Sequence, residues 1–107
     1  MRFKTTGERV TPQNARDHSP VVFIVREDFT AELTNAMVTR DGVKSWTTTE
    51  SYRAGTVIRG VSWRPEGVIS CRRANADGWP VEGAKEMFLG WDALAHCDLA
   101  AACSEGD

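Results

Sequence analysis

The dipeptide Asp41-Gly42, set between Ala36-Met37-Val38-Thr39-Arg40 and Val43-Lys44-Ser45-Trp46-Thr47, constrains the fold of this chain more than any other feature. Asp-Gly between β-formers is a strong short-range hairpin signal. A two-residue type I′ turn needs positive φ at both central residues, which Gly adopts freely and Asp tolerates. Such a turn pairs Arg40 with Val43, and that register sets Met37 opposite Trp46 and Val38 opposite Ser45. It also decides residues 29–40. Phe29, Leu33 and Met37 recur every four residues behind Asp28, as in a capped helix. Yet Phe29, Ala31 and Leu33 alternate with Thr30, Glu32 and Thr34, as on a half-exposed strand. The hairpin favours the strand.

The remaining punctuation extends the β pattern. Pro20 opens Val21-Val22-Phe23-Ile24-Val25, a β-branched and aromatic run that suits a strand buried on both faces. A second hairpin runs from Thr56 to Trp63, turns at Arg64-Pro65-Glu66-Gly67, and returns from Val68 to Arg73. Pro at the second turn position and Gly at the fourth fit a type I turn. Gly60 inside the first of these strands predicts a bulge or sharp bend. Asn75-Ala76-Asp77-Gly78 marks another turn, 79–85 reads as a loop, and Met87-Phe88-Leu89 as a last short strand. The first twenty residues, broken by Gly7, Pro12, Asn14 and Pro20, read as a strand at Arg2 to Thr5 and then a loop. Asp92 caps an expected helix from Ala93 to Ala102, with Leu94, Cys97 and Ala101 as its inner stripe. The fold expected is therefore mainly β with one short C-terminal helix: a small, strongly bent antiparallel sheet or an SH3-like or OB-like barrel. Its parts are a polar N-terminal strand and loop (1–20), a single β-rich domain (21–103) and a tail (104–107).

With 107 residues, 41% hydrophobic and 26% charged, the chain is one globular domain's worth and has the composition to fold. No stretch of 18 apolar residues offers a membrane span, and Met1-Arg2-Phe3-Lys4-Thr5-Thr6 lacks the apolar core of a signal peptide. Cys71, Cys97 and Cys103 are odd in number and widely spaced. They read as free thiols of a reducing, cytoplasmic compartment. Net charge is −2, unevenly spread. Arg53, Arg59, Arg64, Arg72 and Arg73 face only Glu66 between 51 and 73, whereas Lys85 stands alone among the carboxylates of 74–107.

Residue chemistry argues against catalysis. Structural zinc takes paired ligands two to four residues apart, and His96, Cys97, Cys103 and Cys71 offer no such pair. A Cys–His nucleophile requires the two side chains to meet, whereas His96 and Cys97 diverge on a helix and His18 sits in a polar loop. Glu82, Glu86 and Asp92 read as a solvated acidic face, and the glycines are scattered as turn residues rather than gathered in a phosphate loop. The expectation is a non-enzymatic protein without metal or cofactor.

What remains is aromatic residues beside arginines: Tyr52, Arg53, Arg59, Trp63, Arg64, Arg72 and Arg73 in one hairpin and its entry, with Trp79 just beyond. Such a patch can anchor a protein partner, since Trp and Arg dominate interface hot spots. It can also bind single-stranded nucleic acid, with bases stacked on Tyr52 and Trp63 while the arginines of 53–73 track phosphates. The negative net charge favours the protein partner, with Trp46 and Trp91 left to the core. An adaptor or an inhibitor, for instance a phage or mobile-element inhibitor of a host complex, is the function expected, with no membrane association.

Overall fold

A computed structural model describes residues 5–18, 20–65 and 67–100. The expectations for Arg2 to Lys4, Ala101, Cys103 and the tail lie outside these residues. In chain order the elements are β1 (Thr5–Arg9), α1 (Pro12–Asp17), β2 (Val21–Val25), β3 (Phe29–Thr39), β4 (Gly42–Tyr52), β5 (Val57–Arg64), β6 (Val68–Ala74), β7 (Met87–Gly90), a 3-10 turn (Trp91–His96) and β8 (Cys97–Ala100). The chain is mainly β, as its turn signals require.

Two expectations fail at the ends of the chain. The N-terminal loop holds a helix, α1, which a capping box starts. The Asn14 amide donates to Thr11 Oγ1 at 3.3 Å, and the Thr11 amide donates to Asn14 Oδ1 at 2.7 Å, with Pro12 at the first helical position. The helix expected from Ala93 is instead a 3-10 turn followed by a strand. Cys97 and Leu99 alternate with Asp98, and β8 pairs on both sides: Val25↔Cys97 and Phe23↔Leu99 with β2, Thr5↔Ala100 and Arg9↔Asp98 with β1. Two ladders of backbone bonds and three buried side chains, Cys97, Leu99 and Ala100, outweigh the helix preference of the alanines.

The main sheet has the order β1-β8-β2-β5-β6-β7, with antiparallel neighbours throughout. It is open, with β1 and β7 at its edges, and does not close into a barrel. The anticipated irregularity at Gly60 is a bulge: Gly60 pairs with Cys71 and Ser62 with Ser70, leaving Val61 as the extra residue. The run Val21–Val25 is buried on one face only. Val21, Phe23 and Val25 point inward with Ile58, Ile69, Cys71, Leu89, Cys97 and Leu99, whereas Val22 and Ile24 are half-buried on the outer face. Val10, Ala15 of α1, Ala93 and Leu94 of the 3-10 turn, and Tyr52 complete the core.

β3 and β4 form a second sheet of two strands, 11 residues each. Phe29, Ala31 and Tyr52 pack on the core at its base, and from Gly42 to Ser51 every residue is exposed. This arm stretches the molecule to 56 × 27 × 25 Å and its radius of gyration to 14.7 Å, against about 13 Å for a compact chain of this length. The register differs from the one expected, each β3 residue meeting a β4 partner two positions earlier. Thr39 pairs with Gly42, Val38 with Val43, Met37 with Lys44 and Asn35 with Trp46, so the turn is Arg40-Asp41. Type I′ needs positive φ at both central residues. Here only Gly42 has it, at +130°, and it begins the strand instead of ending the turn.

Candidate docking surface

Alternation along the arm makes two faces. One carries Phe29, Ala31 and Met37 of β3 with Lys44, Trp46, Glu50 and Tyr52 of β4; the other carries Thr30, Ala36, Val38, Val43, Ser45, Thr47, Thr49 and Ser51. The first face is anchored at its base. Phe29 stacks between Tyr52, at 5.1 Å between centroids, and the His96 ring, at 4.9 Å. The Tyr52 hydroxyl donates to Met87 Sδ at 3.1 Å, and the Arg73 guanidinium lies over the Tyr52 ring at 5.0 Å while pairing with Glu50 at 3.3 Å. Burial, with the Glu50 charge adding to it, pushes the Tyr52 hydroxyl up to about 12.

Further out, the same face is largely exposed. Trp46, expected in the core, is 49% exposed and Met37 52%; at the tip, on the opposite face, Val38 is 82% and Val43 68% exposed. A groove of about 420 Å³ runs between the arm's first face and the segment 84–89. Apolar side chains gathered on a projecting element are the kind of surface that marks interaction sites. The sequence carries one signal for this overhang. Two 11-residue strands are longer than the four to eight residues of the strands they would have to pack on, so part of the alternating pattern overhangs.

The eight residues singled out from the sequence do not share one surface. Tyr52 is buried, and Trp63 packs on the core opposite Ile69 and stacks on Trp91 at 4.5 Å. Arg73, paired with Ile58, shares that inner side of the sheet. Arg59, Arg64 and Arg72 point to the outer face, because the bulge at Val61 shifts the alternation between Arg59 and Trp63. Trp79 joins them. Its loop folds back through an Ala74↔Pro80 bridge, its ring lies 5.2 Å from the Arg59 guanidinium, and it is 56% exposed. Arg59 also donates to the Gly78 carbonyl at 3.1 Å, and Arg64 lies 5.0 Å from the Phe88 ring. Arg53 is exposed in the turn between β4 and β5, where its carbonyl accepts from the Thr56 hydroxyl at 2.7 Å.

The titratable residues near the arm's base pair with one another. Arg26 pairs with Asp98 at 3.1 Å and Glu27 at 3.4 Å and donates to the Ala95 carbonyl at 2.9 Å, while His96 Nδ1 and Glu27 are hydrogen-bonded at 3.1 Å. The His96 hydrogen bond holds the Glu27 carboxyl below its usual range. Among the described residues, no three His, Cys, Asp or Glu side chains converge on a point where a metal could sit. Cys71 and Cys97 are buried, and desolvation pushes both thiols up to about 12. At neutral pH the thiolate fraction is then on the order of 10⁻⁵. A Cys103→Ser chain is expected to resist a thiol reagent while folded and to label at both remaining cysteines in denaturant. Rapid labelling of either one in the folded state would reopen nucleophilic chemistry at that thiol.

Compared with protein-family models, curated proteins and solved structures, the chain matches none of them, so the geometry of the arm and of the outer sheet face must carry the functional reading.

Proposed function

We propose that this is a non-enzymatic binding protein that docks on another protein by inserting the β3–β4 arm. The exposure of Met37, Val38, Val43 and Trp46 on an element held away from the body carries this reading. An isolated two-stranded ribbon is marginal in water. This one exposes Met37 and Trp46 on one face, beside Lys44 and Glu50, and Val38 and Val43 on the other face at its tip, a shape suited to a partner's cleft. Insertion of a base-anchored arm into such a cleft is how an adaptor or an inhibitor of a larger complex would act. The charge of the arm supports a protein over a nucleic acid. Arg40 and Lys44 are outnumbered by Glu32, Asp41 and Glu50, whereas nucleic-acid affinity comes from neutralising phosphates.

The test is affinity capture from lysate with the wild type and with Trp46→Ala and Val38→Ser variants. Both positions are solvent-exposed, so the fold should be retained within about 0.5 kcal/mol. Proteins retained by the wild type and lost with either variant support the proposal. Retention unchanged by both variants would remove the arm as the docking element.

The outer sheet face favours a second reading, because Arg59, Arg64, Arg72 and the exposed Trp79 gather there. Single-stranded nucleic acid would stack on Trp79 and track the arginines. Anisotropy with labelled single strands at two salt concentrations separates the readings. Binding that weakens steeply with salt, with a slope reduced by Arg72→Ala, would move the function from the arm to this face.

A further inference from the structure

We infer that two copies of this chain join edge to edge along β4, antiparallel about Thr47, merging their arms into one four-stranded sheet. Among the described residues, β4 has a strand neighbour on one side only. β3, by contrast, meets β7 and the 3-10 turn beside the body. Because a two-residue turn makes its flanking pair, Thr39 and Gly42, the hydrogen-bonded kind, bonds to β3 recur at every second residue of β4, from Gly42 to Tyr52. The main-chain groups of Val43, Ser45, Thr47, Thr49 and Ser51 then point away from β3. They form a row of donors and acceptors about 27 Å long at 3.4 Å per residue. An exposed edge of that length is a template for another strand.

The order of side chains along β4 identifies that strand as a second β4. With Thr47 on a two-fold axis, Ser45 faces Thr49 of the second copy, Val43 faces Ser51, Trp46 faces Thr48, and Lys44 faces Glu50. Lys44 and Glu50 are the only charged residues of the strand, and they stand three residues either side of Thr47 with opposite signs. Antiparallel pairing therefore creates two opposite-charge pairs, whereas parallel in-register pairing would set Lys44 on Lys44. Both pairs fall at non-hydrogen-bonded positions, where facing side chains are closest, about 4.5 Å between Cα atoms. Glu50 holds Arg73 within its own chain at 3.3 Å, and its two oxygens leave room for a second cation. The two Trp46 side chains become diagonal neighbours on one face of the joined sheet. Val, Thr and Trp fill the seam, all residues that favour strands, and no proline interrupts it. This pairing uses the edge of the arm and not its apolar face, so it stands independently of the docking proposed above.

Sedimentation equilibrium at about 100 µM protein, a concentration that saturates a low-micromolar dimer, tests it. The wild type is expected at twice the 11.8 kDa chain mass. Thr47→Pro removes one outward N–H and no bond to β3, so the chain should keep its circular dichroism spectrum and sediment as a monomer. Lys44→Glu and Glu50→Lys should each weaken the dimer at least tenfold alone, by setting like charges opposite one another. An equimolar mixture of the two should recover it, because every facing pair is then of opposite sign. A wild type that is monomeric at this concentration overturns the inference while leaving arm insertion untouched. Thr47→Pro dimerising as strongly as the wild type, or a mixture that fails to recover the dimer, overturns it equally.

Discussion

Replacing Phe23 by alanine is expected to cost about 3–5 kcal/mol of unfolding free energy, the range for deleting a fully buried ring. Phe23 is completely enclosed and sits in the middle strand of a three-strand set, paired with Ile58 of β5 on one side and Leu99 of β8 on the other. Those neighbours belong to backbone ladders on both flanks, so they cannot collapse into the void without breaking strand pairing. The cost should therefore approach the upper end of the range. Against a total of about 5–15 kcal/mol for a domain, that is a large share. Urea denaturation should show a much lower midpoint with an unchanged slope. A loss below about 1 kcal/mol would mean that Phe23 does not occupy the centre of the core.

Gly60→Ala should be the most damaging one-methyl addition in the main sheet. A Cβ built there would lie 2.6 Å from Ile69 Cδ1 and 2.9 Å from Val21 Cγ1, both on buried side chains. Overpacking of this kind costs about 1–3 kcal/mol. The contact suggests its own relief, since Ile69→Val deletes Cδ1. Ile69→Val alone should cost about 0.5–1.5 kcal/mol. In combination with Gly60→Ala the losses should be clearly less than additive, with a coupling of at least about 0.5 kcal/mol. Simple additivity in denaturant titrations would show that the close approach of Gly60 to Ile69 is not what limits this position.

How much of this could be read from the residues depends on how local the deciding forces are. The hairpins around Arg40-Asp41 and Pro65 are marked by turn residues acting over four positions, and both strand pairs form about those turns, although the arm's register is not the one expected. The bulge at Gly60 was legible for the same reason. Strand β8 was not, because Cys97 to Ala100 take their conformation from β1 and β2, more than 70 residues away in sequence, against the local preference of an alanine-rich segment. The arm's register slipped because Asp-Gly names a turn without saying which of its positions the glycine fills. The grouping of the candidate binding residues on one surface was the least legible. Adjacency of Arg72 and Arg73 in sequence means opposite faces in a strand, and the bulge then moved Arg59 away from Trp63. Trp46 shows the converse limit: alternation marks a face as apolar but does not say that the body is large enough to cover it.

The position of β8 in the sheet has a consequence for how the chain comes into being. Among the described residues β1 pairs with β8 alone, and β8 lies between β1 and β2. While the protein is being synthesised, β2, the arm, β5, β6 and β7 can assemble by neighbour-to-neighbour pairing as they emerge. Residues 5–9 meanwhile wait as an unpaired polar segment, with one flank of β2 bare. Synthesis must reach residue 100 before the N-terminal strand has anything to pair with, as the Thr5↔Ala100 pair records. Closure of that long loop is the slow kind of step, which places final folding in the millisecond-to-second range of non-local β topologies. Nascent chains released short of Cys97 should therefore expose the flank of β2 and be the species that quality-control chaperones and proteases meet.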